Sequence, residues 1–288
     1  MNKKPFFDTA VIIGVGLIGG SIARVLKNRG MAKRVIGAGR GEANLKAALE
    51  LGIIDAALPA AEAVKEADFI VLCPPVLSII PTLEAIAPHI KKGALVTDGG
   101  STKKEIVERG EKIAAGRFVF IGSHPIAGTE KSGAASSFET LFENHKCIVT
   151  PTPNTPAEPL EKLTAFWRGA GMKTVQMDPV THDTVMGAVS HLPHLVVYAL
   201  VNTVSQLEGG EKLLDFAAGG FKDTTRIAAS PAEMWADIAL ANGPKMLELS
   251  SAMRGNLVDI ENAIRSHDRE ALMRMLQRAN EFRGKLEK

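Results

Sequence analysis

The chain has 288 residues, is 45% hydrophobic and 23% charged, and carries a formal net charge of +2; that length buries a large core without disulfide staples. No run of Lys and Arg exceeds two residues, so neither nucleic acid nor an anionic membrane is expected as a partner. Cys73 and Cys147 lie far apart with no C-x-x-C spacing, which points to reduced thiols and a cytoplasmic protein rather than a disulfide framework or cysteine metal site.

At the start of the chain, Lys3 and Lys4 precede an apolar run over residues 10–22 that has the outline of a signal peptide. Asp8 interrupts the approach to it, and Gly14, Gly16, Gly19 and Gly20 sit inside it at patterned spacing. No other segment reaches the roughly 20 apolar residues of a membrane span. Strands are expected over residues 9–13, 34–38, 69–73, 94–97, 118–121, 146–150 and 173–177, with helices over 17–28, 44–51, 77–89, 103–115 and 158–169. Near-continuous apolar runs such as Phe69-Ile70-Val71-Leu72-Cys73 suit strands covered on both faces. Their alternation with helices predicts an α/β Rossmann-type, doubly wound, mostly parallel sheet. Past Asp178-Pro179 no strand pattern remains. Helices are expected over 181–206, interrupted by Pro193, and over 231–241, 245–266 and 268–286. The pairs Gly209-Gly210 and Gly219-Gly220 read as turns. The expected organisation is a dinucleotide-binding Rossmann domain over residues 1–178 and an all-α domain over 179–288. In the latter, Met246, Leu249, Met253, Leu257, Ile260 and Ile264 form a stripe that reads as core or dimer seam.

The strongest local motif is Gly14-Val15-Gly16-Leu17-Ile18-Gly19, which follows the first strand and opens the first helix. Gly14 permits the tight turn, Gly16 lets a pyrophosphate approach the backbone, and Gly19 lets helix and strand pack closely. The N–H groups of Leu17 and Ile18, at the positive end of that helix, face the phosphates. About 20 residues further on, an NAD site places an acid against the ribose 2′-hydroxyl. Here Gly39 stands at that position and Arg40 follows it, which favours NADP over NAD. The alternative is a solvated Arg40 with Glu42 serving the ribose.

Three segments should line the carboxyl ends of the strands, where ligands of open α/β sheets bind. They are Pro74-Pro75, Asp98-Gly99-Gly100-Ser101-Thr102, and Ser123-His124-Pro125-Ile126-Ala127-Gly128-Thr129-Glu130. Ser101 reads either as a helix N-cap or, if Thr102 and Glu105 form a capping box, as a hydroxyl left for substrate. His191 and His194 lack an evident third ligand, so no metal is expected. Trp235 reads as core.

These segments carry a resemblance. The Gly14–Gly20 loop, Asp98-x-Gly-Ser101, His124-Pro-x-Ala-Gly-Thr-Glu130, Ser190-His191-Leu-Pro-His194, Phe221-Lys-Asp-Thr-Thr-Arg226 and Trp235 occur together in the order of the prephenate/arogenate dehydrogenase family, which the chain resembles over most of its length. The resemblance implies a Rossmann domain joined to a helical substrate and dimerisation domain over 179–288, hence a homodimer. It also implies oxidative decarboxylation of prephenate or arogenate, with NAD(P) reduced. A neutral histidine near its ordinary pKa suits the base that this reaction needs, and His124 is that candidate, with Ser101 orienting the same hydroxyl. Arg226 is the expected carboxylate anchor, by its planar fork, with an interdomain ion pair as the alternative. His194 and Ser190 fall in the substrate pocket. Thr129 and Glu130 support the pocket or its gate, although Glu130 also suits the first turn of a following helix. Two rivals differ in class. A β-hydroxyacid dehydrogenase would carry a lysine on the long helix, and none lies between Lys173 and Lys212. A non-catalytic NADP sensor would bind the cofactor without turnover.

Overall fold

The computed structural model describes residues 5–129 and 131–287. Six strands form one wholly parallel sheet: β1 Phe7–Ile13, β2 Ala32–Ala38, β3 Ala56–Ala57, β4 Phe69–Leu72, β5 Leu95–Asp98 and β6 Val119–Phe120. Their order is β3-β2-β1-β4-β5-β6, so the direction of winding reverses between β1 and β4, and the crevice used by ligands opens there.

The helices of this half are α1 Leu17–Asn28, α2 Glu42–Glu50, α3 Ala60–Ala63, α4 Ile79–Ile86, α5 Lys104–Ala114 and α6 Ala157–Gly169. Strand β4 shows why the sheet needs cover on both sides. Its side chains alternate, sending Phe69 and Val71 into one apolar cluster and Ile70 and Leu72 into another. All four are completely buried, each contributing on the order of 2 kcal/mol. In the first cluster Phe7 stacks on Phe69 at 4.1 Å, and Phe166 of α6 meets Phe69 edge-on at 5.1 Å.

Three further strands form a second sheet ordered β7-β8-β9: β7 Gly122–Ile126, β8 Lys146–Thr150 and β9 Lys173–Gln176. The sequence places the last two in the parallel sheet and does not anticipate β7, reading residues 123–130 as a segment beyond the end of a strand. In fact β7 runs antiparallel to β8, with His124 opposite Ile148 and Pro125 opposite Cys147. Pro125 cannot donate to a ladder, and β7 is an edge strand where that donor is dispensable.

No described strand follows Gln176. Helices α7 Pro179–Met186 and α8 Leu192–Ser205 are joined without a break by a π-helical turn, Gly187–His191. The wide turn lies immediately ahead of Pro193, which lacks the N–H for an ordinary helical bond, so the helix absorbs the proline instead of stopping. The unbroken helix spans 27 residues and contains an 18-residue window of hydropathy 1.5, long and apolar enough to cross a membrane by those two criteria. That corrects the expectation that no such segment exists, and the cause is that Pro193 does not divide it. Short helices α9 Gly210–Leu213 and α10 Gly219–Thr225 follow, then α11 Ala232–Ala241. Both glycine pairs therefore open helices, with Gly209 in the left-handed region at φ +72°.

By compactness the chain forms two units, residues 1–242 and 243–288. The second is a helical hairpin of α12 Gly243–Arg265 and α13 Arg269–Arg283, with Asp268 capping α13 through the Ala271 N–H at 2.9 Å. Of the apolar stripe on α12, Met246 is buried while Leu257 and Ile264 are exposed.

Candidate active site

The glycine loop lies at the switch point. Gly14 has φ +92°, and a Cβ there would strike the Cys73 carbonyl oxygen at 2.6 Å and Pro74 N at 2.9 Å. This places the Pro74 segment against the turn. A Cβ on Gly19 would collide with the Gly14 carbonyl oxygen, so α1 packs on β1 only because residue 19 has none. A Cβ on Gly16, in contrast, would meet nothing within 4 Å, and the residue gives α1 no side-chain cap. Unpaired N–H groups facing open space are what a pyrophosphate requires, so the residues fit a bound dinucleotide. Arg40 is exposed and makes no ion pair among the described residues. A Cβ on Gly39 would lie 3.9 Å from Gly14 N, so position 39 borders the loop and offers no carboxylate. Glu42 opens α2 as a first-turn acid.

The loops at the other strand ends gather beside α1. A Cβ on Gly99 would lie 3.4 Å from Cys73 Sγ, 3.6 Å from Ile18 and 3.9 Å from Pro125. Burial and the Asp98 carboxylate push the Cys73 thiol up to about 12, so it stays protonated. Asp98 organises the β5 turn. Its carboxylate accepts from Gly100 N at 2.8 Å and Ser123 N at 3.2 Å, and forms a fully buried ion pair with Lys103. Thr97 Oγ1 donates to Ser123 Oγ at 2.8 Å, and that hydroxyl donates to the Asp98 carbonyl at 2.6 Å. The start of β7 is thereby tied to the end of β5.

The capping box does not form. The residue at the N-cap is Lys103, with no side-chain cap of its own, and the Glu105 carboxylate pairs with Arg109 instead. The cap comes from α7: the Asp183 carboxylate accepts from Lys103 N at 2.7 Å and Lys104 N at 2.9 Å. Ser101 is half-buried and makes no hydrogen bond among the described residues, so its hydroxyl is left for other partners by a different route from the one expected.

His124 is 7% exposed, on a strand rather than in a loop. Its Nδ1 lies 2.9 Å from His182 Nε2, and His182 Nδ1 lies 2.8 Å from Asp183 Oδ1. Burial, then the neighbouring His182, Lys103 and His191, hold His124 well below the ordinary histidine range, so it is neutral near pH 7. Burial also lowers His182, with the hydrogen bond to Asp183 opposing it. The network continues through Asn242, whose Nδ2 donates to the Asp183 carbonyl at 2.9 Å and to His191 Nδ1 at 3.2 Å. His191 therefore carries its proton on Nε2, which is buried without a partner among the described residues, as is Trp235 Nε1.

His194, three residues further on, stacks on Trp235 with ring centroids 3.4 Å apart, and its Nδ1 donates to the Ser190 carbonyl at 2.9 Å. Burial, with Arg226 nearby, lowers His194 against that hydrogen bond. Trp235 is buried, as expected of a core residue, yet its face forms the wall behind His194. Arg226 is exposed and makes no ion pair among the described residues, and Tyr198 anchors its turn by donating to the Ser230 carbonyl at 2.7 Å. Thr129 is exposed and accepts from Lys131 N at 3.2 Å; Glu130 lies outside the described residues. His182, Asp183, Lys103 and Asn242 escape the sequence reading. The available signal was a His-Asp pair inside a helix that carries no other Asp, Glu, Lys or Arg, where burying charge demands partners.

A parallel sheet of this order, an open glycine loop at its switch point and a neutral buried histidine at its carboxyl edge define a nicotinamide-dependent oxidoreductase. The family model of the prephenate dehydrogenase nucleotide-binding domain matches residues 22–176, and that of the prephenate dehydrogenase dimerization domain matches residues 178–278. The chain is 38% identical to a prephenate dehydrogenase of Bacillus subtilis, over 97% of this chain and 76% of the relative. It is 33% identical to a cyclohexadienyl dehydrogenase of Zymomonas mobilis, over 96% and 95%. The crystal structure of an A. aeolicus prephenate dehydrogenase, in complex with hydroxyphenyl propionate and NAD+, superposes with a TM-score of 0.89 at 35% identity, covering 97% of this chain and 98% of that one. The chain belongs to the prephenate dehydrogenase family.

Proposed function

We propose that the protein oxidatively decarboxylates prephenate, arogenate or both, reducing a nicotinamide cofactor in tyrosine biosynthesis. The observation that carries the reading is His124: a buried, neutral imidazole with Nδ1 already engaged, next in the chain to Pro125, which with Ile18 of the dinucleotide loop borders Gly99. When bound, the oxidised nicotinamide accepts the hydride from C4 of the cyclohexadienol ring. His124 draws off the C4 hydroxyl proton as the hydride departs, with Ser101 orienting that hydroxyl. Loss of the C1 carboxylate as carbon dioxide aromatises the ring, and His124 returns its proton to the forming phenol oxygen. Arg226 grips a substrate carboxylate, His194 and the Ser190 turn line the pocket, and Thr129 supports it. Gly14, Gly16, Leu17, Ile18 and Gly19 hold the pyrophosphate, with Pro74 beside it.

NADP is favoured over NAD, since Gly39 offers no carboxylate to a 2′-hydroxyl and Arg40 suits a 2′-phosphate. The active species is a homodimer, a reading supported by the match to a dimerization domain, and its place is the cytoplasm. The test is absorbance at the reduced-nicotinamide band with prephenate and arogenate, each against NAD+ and NADP+. Cofactor binding without turnover on either substrate would leave a sensor in place of an enzyme. In the same assay Gly39→Asp should lower kcat/KM for NADP+ at least tenfold relative to NAD+; an unchanged ratio would remove Gly39 and Arg40 from cofactor choice.

A further inference from the structure

His182 is fully buried, and both of its ring nitrogens are engaged. A packing role would be served by any side chain of similar volume, whereas two buried nitrogens each need a matched partner. The partners fix where the protons lie. Burial alone would raise Asp183, but the hydrogen bonds from His182 and from the N–H groups of Lys104 and Lys103 outweigh it and keep the carboxyl ionised. An ionised carboxylate only accepts, so His182 carries its proton on Nδ1. A neutral imidazole holds one proton, which leaves His182 Nε2 as a lone pair. That lone pair faces His124 Nδ1 at 2.9 Å, so His124 donates there and keeps its own Nε2 unprotonated.

We propose that His182 and Asp183 form a positioning relay that fixes His124 as the Nδ1–H tautomer, so that Nε2 is the atom that receives the substrate's hydroxyl proton. This rests on the reading of His124 as the base. In the transfer the substrate O–H bond breaks and an N–H bond forms on His124 Nε2, while the hydride passes to the nicotinamide. The imidazolium so formed keeps Nδ1–H pointed at His182, and the Asp183 charge stabilises it through that ring. The relay is rigid because Asp183 is held at both ends. Its two carboxylate oxygens cap α5, and its carbonyl is held by Asn242. The same carboxylate thus sets the position of α5, which follows Ser101, and the protonation of His124.

The tautomer can be read directly. In the full-length protein labelled with 15N-histidine, His124 signals are assigned by their loss in His124→Asn. Nδ1 should then resonate as N–H and Nε2 as an unprotonated nitrogen near neutral pH. In His182→Phe, which keeps volume but no acceptor, that preference should disappear. The same change should lower kcat by about 10²–10³ with KM for substrate and cofactor within about threefold. His182→Gln, whose amide both accepts from His124 and donates to Asp183, should recover at least tenfold of the loss. A proton on Nε2 of His124 in the wild-type protein overturns the relay, whether or not the variants fold. So does wild-type kcat in His182→Phe. The expected tautomer in a protein that turns over neither prephenate nor arogenate would support the relay and refute the functional reading instead.

Discussion

His124 and Arg226 represent two extremes of exposure, and that contrast decides how each should respond to mutation. His124 is enclosed, and its Nδ1 is occupied by His182. His124→Asn removes the proposed base while leaving an amide to meet His182, so kcat should fall about 10²–10⁴-fold with little change in KM. Turnover at the wild-type rate would eliminate His124 from the chemistry. Arg226 is exposed with no ion pair among the described residues, which removes the structural reason for an interdomain strut. Arg226→Ala should therefore raise substrate KM and leave the melting temperature unmoved; a loss of stability with unchanged KM would reverse that assignment. His124, Ser101 and Arg226 could be singled out as candidates from the sequence because short motifs carry them. His182 was not, because its function depends on a partner 58 residues away, and no local pattern encodes that contact.

Elements show the same division between local and distant determinants. Strands β1, β2, β4, β5 and β8 are apolar runs whose alternation is written in the sequence. Strand β7 is invisible to that reading: Ser123, His124 and Pro125 lack strand character, and pairing with β8 imposes the conformation. The start of α5 makes the point quantitatively. Thr102 and Glu105 have the spacing of a capping box, yet the orphan N–H groups of Lys103 and Lys104 are satisfied by Asp183 on another helix. Asp183→Ala should cost about 2 kcal/mol or more in urea denaturation, since it uncaps the helix and strips His182 of its acceptor in a buried setting. Glu105→Ala, which loses only an exposed pair with Arg109, should change stability by no more than about 0.5 kcal/mol. If the two costs were reversed, the capping assignment would be wrong.

At the scale of the whole molecule, the cluster around His124 ties global stability to pH. His124, His182 and His191 are all buried and all lowered in the folded state, His191 to about 4. In the unfolded chain each returns to about 6.5. Between those values the unfolded state binds protons that the folded state does not, so stability rises with pH across the window. The contribution is complete above about pH 6.5 and is lost as pH falls through the folded values. For His191 alone the loss is on the order of 3 kcal/mol by about pH 4. Asp183 acts with the same sign in a lower range, because its folded carboxyl also titrates below its unfolded value. The melting temperature measured by calorimetry should therefore fall steeply from pH 6.5 to 4.5, a range that lies mostly above the values near 4 at which ordinary surface carboxylates protonate. His191→Gln should flatten that decline, since glutamine has no proton to gain. A melting temperature that stays level across the window would mean that these imidazoles are not held neutral by burial, and the case for a neutral base at position 124 would fail with it.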